Sequence, residues 1–227
     1  MVLLWKYFAL GFSALLPVVN PLGSALVFLG LVGVVPPKVY RSLARRIAIN
    51  TILFFIVIEL VGSALLSFFG ISLPIVQISG GLVLAAMGWS LLNQKDPQTS
   101  TDEARTEVQS DPEAKTHRLE QGTFYPLTFP VSVDPGSIVV MLTLSAHASK
   151  KSLSENALSH AGLLLAVVLL SVLIYVCYAY APQITSRISP STAHGILRVV
   201  AFILLCIGVQ IAWNGADTLL SAVLRNG

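Results

Sequence analysis

Charge is what this sequence has least of. Only 25 of its 227 residues are Asp, Glu, Lys or Arg, 11%, where a soluble domain carries about 25%. Hydrophobic residues make up 55% and the mean hydropathy is +0.79. Disorder needs low hydrophobicity and high charge, so it is excluded. An ordinary soluble domain is excluded as well, because so few charges could not clothe so large an apolar content. Cysteine is equally sparse. Cys177 and Cys206 both fall in apolar runs, where a thiol packs as a small hydrophobe, and no disulfide framework follows. The net charge of +3 comes without a basic stripe interleaved with aromatics, so no nucleic-acid partner is expected. There is no His-Glu-x-x-His motif. His117, His147, His160 and His194 are read as loop or span-end residues, and His147 and His160 as able to meet incidentally on the outer side. No metal, cofactor or enzymatic activity is therefore expected. An integral membrane protein in a lipid bilayer remains.

A span needs about 20 apolar residues to cross a ~30 Å hydrocarbon core. Six segments qualify: 5–35, 47–69, 71–92, 124–146, 157–180 and 196–220. The first is too long for the apolar core of a signal peptide and is kept as a span. Eleven of the 25 charges lie between Lys95 and Glu120, marking 94–122 as a polar cytoplasmic linker able to dock a partner. Lys and Arg counts set orientation. With the N-terminus outside, ten basic residues are cytoplasmic, among them Lys38, Arg41, Arg45, Arg46, Lys95 and Arg198; Lys6, Lys150, Lys151 and Arg225 lie outside. Both termini are expected on the outer side.

Spans one and four share a fault. Residues 5–35 would make a helix ~45 Å long at 1.5 Å per residue, yet the middle reads Pro17-Val-Val-Asn20-Pro21-Leu22-Gly23-Ser24. Span four reads Pro130-Val-Ser-Val-Asp134-Pro135-Gly136-Ser137. Proline removes a donor, clashes with the preceding turn and pushes its predecessor out of the α region. Each span is expected to break there, and the freed backbone groups must then meet protein or a water-filled cavity. Each fault heads a half of the chain with three spans, 1–93 and 123–227. Three is odd, so the halves run in opposite senses. The expected fold is all-α, with six transmembrane helices in two inverted three-helix repeats. Interrupted segments in corresponding positions point to a transporter's midplane site.

Two acidic residues lie deep. Glu59 sits near the centre of span two and no helix break excuses it; its candidate role is ion coupling, against a hydrogen-bonded carboxyl packed in the bundle. Asp134 sits on the second fault, either as a helix N-cap or as a cation or substrate-ammonium contact. Asp217 is nearer the membrane edge and read as solvated. Small residues recur every four positions at Gly208, Ala212 and Ala216, at Gly81 and Ala85, and at Gly162 and Ala166, a pattern for close helix packing. Ser79-Gly80-Gly81 leaves room for a small ligand.

These residues together resemble the MarC family of bacterial inner-membrane proteins. The resemblance is carried by Pro17 to Gly23 with Arg41 to Arg46, by 69–81, by Pro126 to Ser137, and by Arg198 with Val209-Gln210 and Asn214-Gly215-Ala216. Asp134 departs from it, since a small residue is more usual at that place. The resemblance implies a bacterial inner (plasma) membrane location and, by likeness to some members, export of small neutral amino acids such as glycine and alanine. The residues suit such a substrate: helix N-termini favour a carboxylate, and freed carbonyls favour an ammonium. The expected substrate site is Asn20, Pro21, Gly23, Ser24, Asp134, Pro135, Gly136 and Ser137, with Glu59 and Asp134 for ion coupling. The alternatives are a membrane protein that acts only through partners, and a channel, for which a homo-oligomer would have to complete a ring of like charges.

Overall fold

The computed structural model describes residues 1–93, 119, 122–150, 152–186 and 190–226. Most of the 94–122 linker, His117, Lys151 and Arg187 lie outside the described residues. All regular structure among the described residues is helical: α1 (Val2–Val19), α2 (Pro21–Val32), α3 (Pro37–Phe68), α4 (Leu73–Leu92), a π-helical turn (Thr123–Thr128), α5 (Pro135–Ala148), α6 (Leu153–Ala179), α7 (Ala181–Ser186) and α8 (Pro190–Asn226). Among the described residues four stretches are long and apolar enough to cross a membrane: Val2–Val32, Leu73–Leu92, Leu153–Ala179 and Leu197–Leu224. The expected second span lies inside α3, whose 32 residues would reach ~48 Å. The fourth is served only by α5, whose 14 residues reach ~21 Å and fall short of the core.

The breaks fall close to where the prolines place them, with two differences. First, α1 runs through Pro17 and stops at Asn20. Asn20 takes up the left-handed conformation (φ 44°, ψ 69°), which Asn tolerates better than most residues. Pro21 then opens α2, where its missing N–H costs nothing. Second, the expected first half of span four is not an α-helix. The chain passes through the π-helical turn and reaches Asp134 in an extended conformation (φ −105°, ψ 170°) before α5 begins at Pro135. Prolines at 126 and 130, both preceded by cis peptides, withhold the donors an α-helix would need there.

The helices form a mixed bundle: α1 runs parallel to α6, while α3 and α6, and α4 and α8, run antiparallel. At one end the Tyr7 hydroxyl donates to the His147 carbonyl at 2.7 Å, joining the start of α1 to the end of α5. At the other, Arg41 lies 5.7 Å from the Tyr180 ring centroid, joining the start of α3 to the end of α6. α6 packs on α1, α2 and α3, while α5 sits between α3, α1 and α4. The most extensive contact joins α4 to α8. It is a seam of small residues. A Cβ on Gly81 would strike the Gly208 carbonyl and Ala212 nitrogen, and one on Gly208 would strike the Gly81 carbonyl and Ala85 nitrogen. Gly88 faces Ala201 and Leu205, and Gly215 faces Pro74 and Ile78. The expected ridges on α4 and α8 thus face each other. The bundle's outer surface is apolar, with Leu60, Phe68, Trp89, Phe202 and Trp213 exposed, as suits contact with lipid tails and interfaces.

Candidate functional site

The two breaks share one local chemistry. At the first, Asn20 Oδ1 accepts from the Gly23 N–H at 3.1 Å, and the Ser24 hydroxyl donates to the Val19 carbonyl at 2.8 Å. At the second, Asp134 Oδ1 accepts from the Ser137 N–H at 2.7 Å. The Ser137 hydroxyl in turn accepts from the Asp134 N–H at 3.0 Å, completing a capping box. In both, an Asx side chain precedes a proline at the first helical position and accepts from the amide three residues on. Such caps satisfy helix-end donors that lipid could not.

Tyr178 ties the breaks together. Its hydroxyl lies 2.9 Å from Ser132 Oγ, just before the second break, and also meets the Ser24 side chain, just after the first. The ring is fully buried and stacks on Phe28 of α2 at 4.5 Å between centroids. Of the expected substrate residues, Gly23, Ser24, Asp134, Gly136 and Ser137 are buried, Pro135 is exposed and Asn20 is half-buried. Asn20 and Pro21 line a cavity of about 490 Å³ with Leu16, Pro17, Cys177 and Ile203 among its walls. Asp134 acts as a cap.

A second cavity, of about 310 Å³, lies on the other side of Pro17. Its polar lining is Ser13 from α1, Gln77 from α4, Thr143 from α5 and Asn214 from α8; its apolar lining includes Val140, Leu144, Ile207 and Ile211. Gln77 Nε2 donates to Thr143 Oγ1 at 3.4 Å. Among the described residues no charged side chain lines it. Ser13, Gln77 and Thr143 were not singled out from the sequence; each is a lone polar residue inside an apolar span, and that isolation was the signal available.

Glu59 is buried where it was expected, its side chain 2% exposed. Its partner was not foreseen. His160 lies inside α6, and its Nδ1 is 2.9 Å from Glu59 Oε1. Glu59 Oε2 is buried with no hydrogen-bond partner among the described residues. The Ser145 hydroxyl of α5 donates to the Glu59 backbone carbonyl at 3.4 Å. His147 does not meet His160 in a hydrogen bond; its Nδ1 lies 2.7 Å from the Thr143 carbonyl. Among the described residues no cluster of three or more His, Cys, Asp or Glu could hold a metal.

A family profile described as MarC family integral membrane protein matches residues 5–220. The chain is similar to inner membrane protein MarC of Escherichia coli (strain UTI89) and of Shigella flexneri. Each is 26% identical over 215 residues, covering 93% of this chain and 95% of the relative. No solved structure matches.

Proposed function

This chain belongs to the MarC family of integral membrane proteins, and from that premise we propose that it is a transporter exporting small neutral amino acids of the glycine and alanine class. Its place is the inner membrane, as the names of its relatives suggest. The reading takes 1–93 and 123–227 as two inverted three-helix repeats, both termini outside, with the 94–122 linker in the cytoplasm. Two features support the repeat. The caps at Asn20 and Asp134 match bond for bond at the Asx position. The α4–α8 seam is reciprocal: Gly81 meets Gly208 and Ala212 as Gly208 meets Gly81 and Ala85, and Gly88 and Gly215 correspond at the same spacing of 127 positions. A two-fold relation between α4 and α8 produces that reciprocity.

The observation that carries the substrate class is the cavity of Ser13, Gln77, Thr143 and Asn214 beside Pro17. Uncharged donors and acceptors among aliphatic walls suit a small zwitterion and disfavour a solute with net charge, which would lose its hydration there unpaired. On this reading Asn20, Pro21, Gly23 and Ser24 serve the cavity on the other side of Pro17. Asp134, Pro135, Gly136 and Ser137 shape the second break that faces it across the bundle. Glu59 and Asp134 are the acidic candidates for ion coupling. Reconstituted protein should exchange labelled alanine saturably, with glycine competing and lysine and glutamate failing to compete. Absence of saturable alanine or glycine exchange by folded protein sinks the reading.

A further inference from the structure

Glu59 is held by two helices and left half-satisfied by both. Its Oε1 is taken by His160 of α6 at 2.9 Å, while Oε2 is buried without a partner among the described residues. Its own backbone carbonyl is held by Ser145 of α5. A side chain with only 2% of its surface exposed cannot hydrate the second oxygen, whereas the His160 side chain, 24% exposed, is the more open member of the pair. A buried carboxylate is expensive unless paired, and a buried neutral pair or ion pair far less so.

Among the described residues, the charged and titratable neighbours leave the pair isolated. On α5, His147 is engaged by the Thr143 carbonyl. In the α5–α6 connection, Lys150 lies over the Tyr7 ring at 5.8 Å. Glu155 is a turn before His160 on α6, with its side chain exposed, and Lys6 is exposed on α1. Tyr40, Arg41, Arg45 and Arg46 of α3, Tyr125 of the π-helical turn, and Tyr175, Cys177 and Tyr178 of α6 belong to the opposite end of the bundle. The pair's charge is therefore set by the protons it holds.

We propose that Glu59 and His160 form a one-proton site that couples proton movement to the cavity of Ser13, Gln77, Thr143 and Asn214; this rests on the transport reading. A proton reaches the imidazole from water and crosses the 2.9 Å hydrogen bond. The Nδ1–H bond breaks, an O–H bond forms on Glu59, and a neutral imidazole remains. With the proton held, the pair is neutral or an internal ion pair, and no net charge is buried between α3 and α6. With the proton lost to water, one negative charge is left between two helices and favours opening to solvent. The link to the cavity is a stretch of α5 shorter than one turn. Thr143 bonds Gln77 in the cavity wall, and Ser145, two residues on, holds Glu59.

The test uses the full chain in liposomes with a pH-sensitive dye inside. An alanine gradient should move protons measurably in wild type, and alanine exchange should change about tenfold across the site's titration, within the usual range of coupling between sites. Glu59→Gln should abolish proton movement and flatten the pH profile. His160→Asn, which keeps a hydrogen bond without a titrating ring, should flatten or displace that profile. Unchanged proton movement and an unchanged pH profile in Glu59→Gln overturn the proposal, as does a drive that follows sodium and ignores pH. If wild type exchanges no amino acid, the substrate reading fails by itself. The proton site is then read by pH-difference infrared spectroscopy of wild type, where a carboxyl band lost in Glu59→Gln and moved in His160→Asn supports it and its absence overturns it.

Discussion

Asn20 and Asp134 do the same local work with an amide and a carboxyl, and that difference separates capping from substrate contact. Removing a capping side chain costs about 1 kcal/mol. Asp134→Ala should therefore lower stability in detergent by about that amount, while Asp134→Asn, which keeps an acceptor for the Ser137 amide, should lose less. If Asp134→Asn keeps the wild-type melting curve but loses alanine exchange, the carboxylate has a role beyond its cap. Thr143 offers a contrast, because its hydroxyl faces the cavity and accepts from Gln77. Thr143→Val leaves Gln77 without that partner, a loss of ~1 kcal/mol or about fivefold. It should appear as weaker alanine binding in exchange assays. Both Asx caps were legible in the sequence because Asx-Pro is a local signal. The Glu59–His160 pair was not, since its members are 101 positions apart and nothing local to either names the other. Gln77, Thr143 and Ser13 escaped notice because no spacing links single polar residues on separate helices.

Proline placed the breaks in the elements to within a few residues, but its effect depended on where it stood. Pro17 lies in the last turn of α1 and the helix runs through it. The chain turns instead at Asn20, where a left-handed residue and Pro21 act together. Two prolines before Asp134 prevented any helix between 129 and 134, so the faults match in their caps and differ in the segments that precede them. Glycine shows the same dependence on context. Gly81 and Gly208 sit with the partner helix's backbone against the position a Cβ would take. Gly81→Ala or Gly208→Ala should therefore push α4 and α8 apart and cost about 1–3 kcal/mol, the usual penalty of overpacking. Gly30 lies inside α2 with nothing within 4 Å of a Cβ, and Gly30→Ala should stabilise by up to about 1 kcal/mol through helix propensity. Thermal unfolding of the three variants in one detergent checks both signs together. The small-residue ridges were legible as packing surfaces, and their mutual pairing followed only once both helices were placed.

Across the whole molecule, α4 and α8 form a pair that meets the other helices chiefly through α5 and, less, through α1. Both cavities lie along that division. The one with Ser13 and Thr143 is walled by α1, α4, α5 and α8; the one with Asn20 and Cys177 is walled by α1, α2, α6 and α8. Pro17 belongs to both, so the first break stands between them. On the transport reading proposed above, movement of the α4–α8 pair against the rest is expected to open one cavity as it closes the other, the alternating access of one body rocking against another. The cysteines allow a direct test. Cys177 lines the Asn20 cavity, on the side of the bundle where Arg41 meets Tyr180. With both termini outside, that side is cytoplasmic, and Thr143 faces outward. A membrane-impermeant thiol reagent added outside should label Thr143→Cys in a background without Cys177 and Cys206. It should leave Cys177 unlabelled in a Cys206→Ala chain until the membrane is opened. Alanine should change the two labelling rates in opposite directions, because occupancy that favours one opening disfavours the other. Labelling of Cys177 but not Thr143→Cys from outside would reverse the orientation. Rates that rise or fall together with alanine would remove the alternating arrangement and leave a continuous path, which is the channel reading.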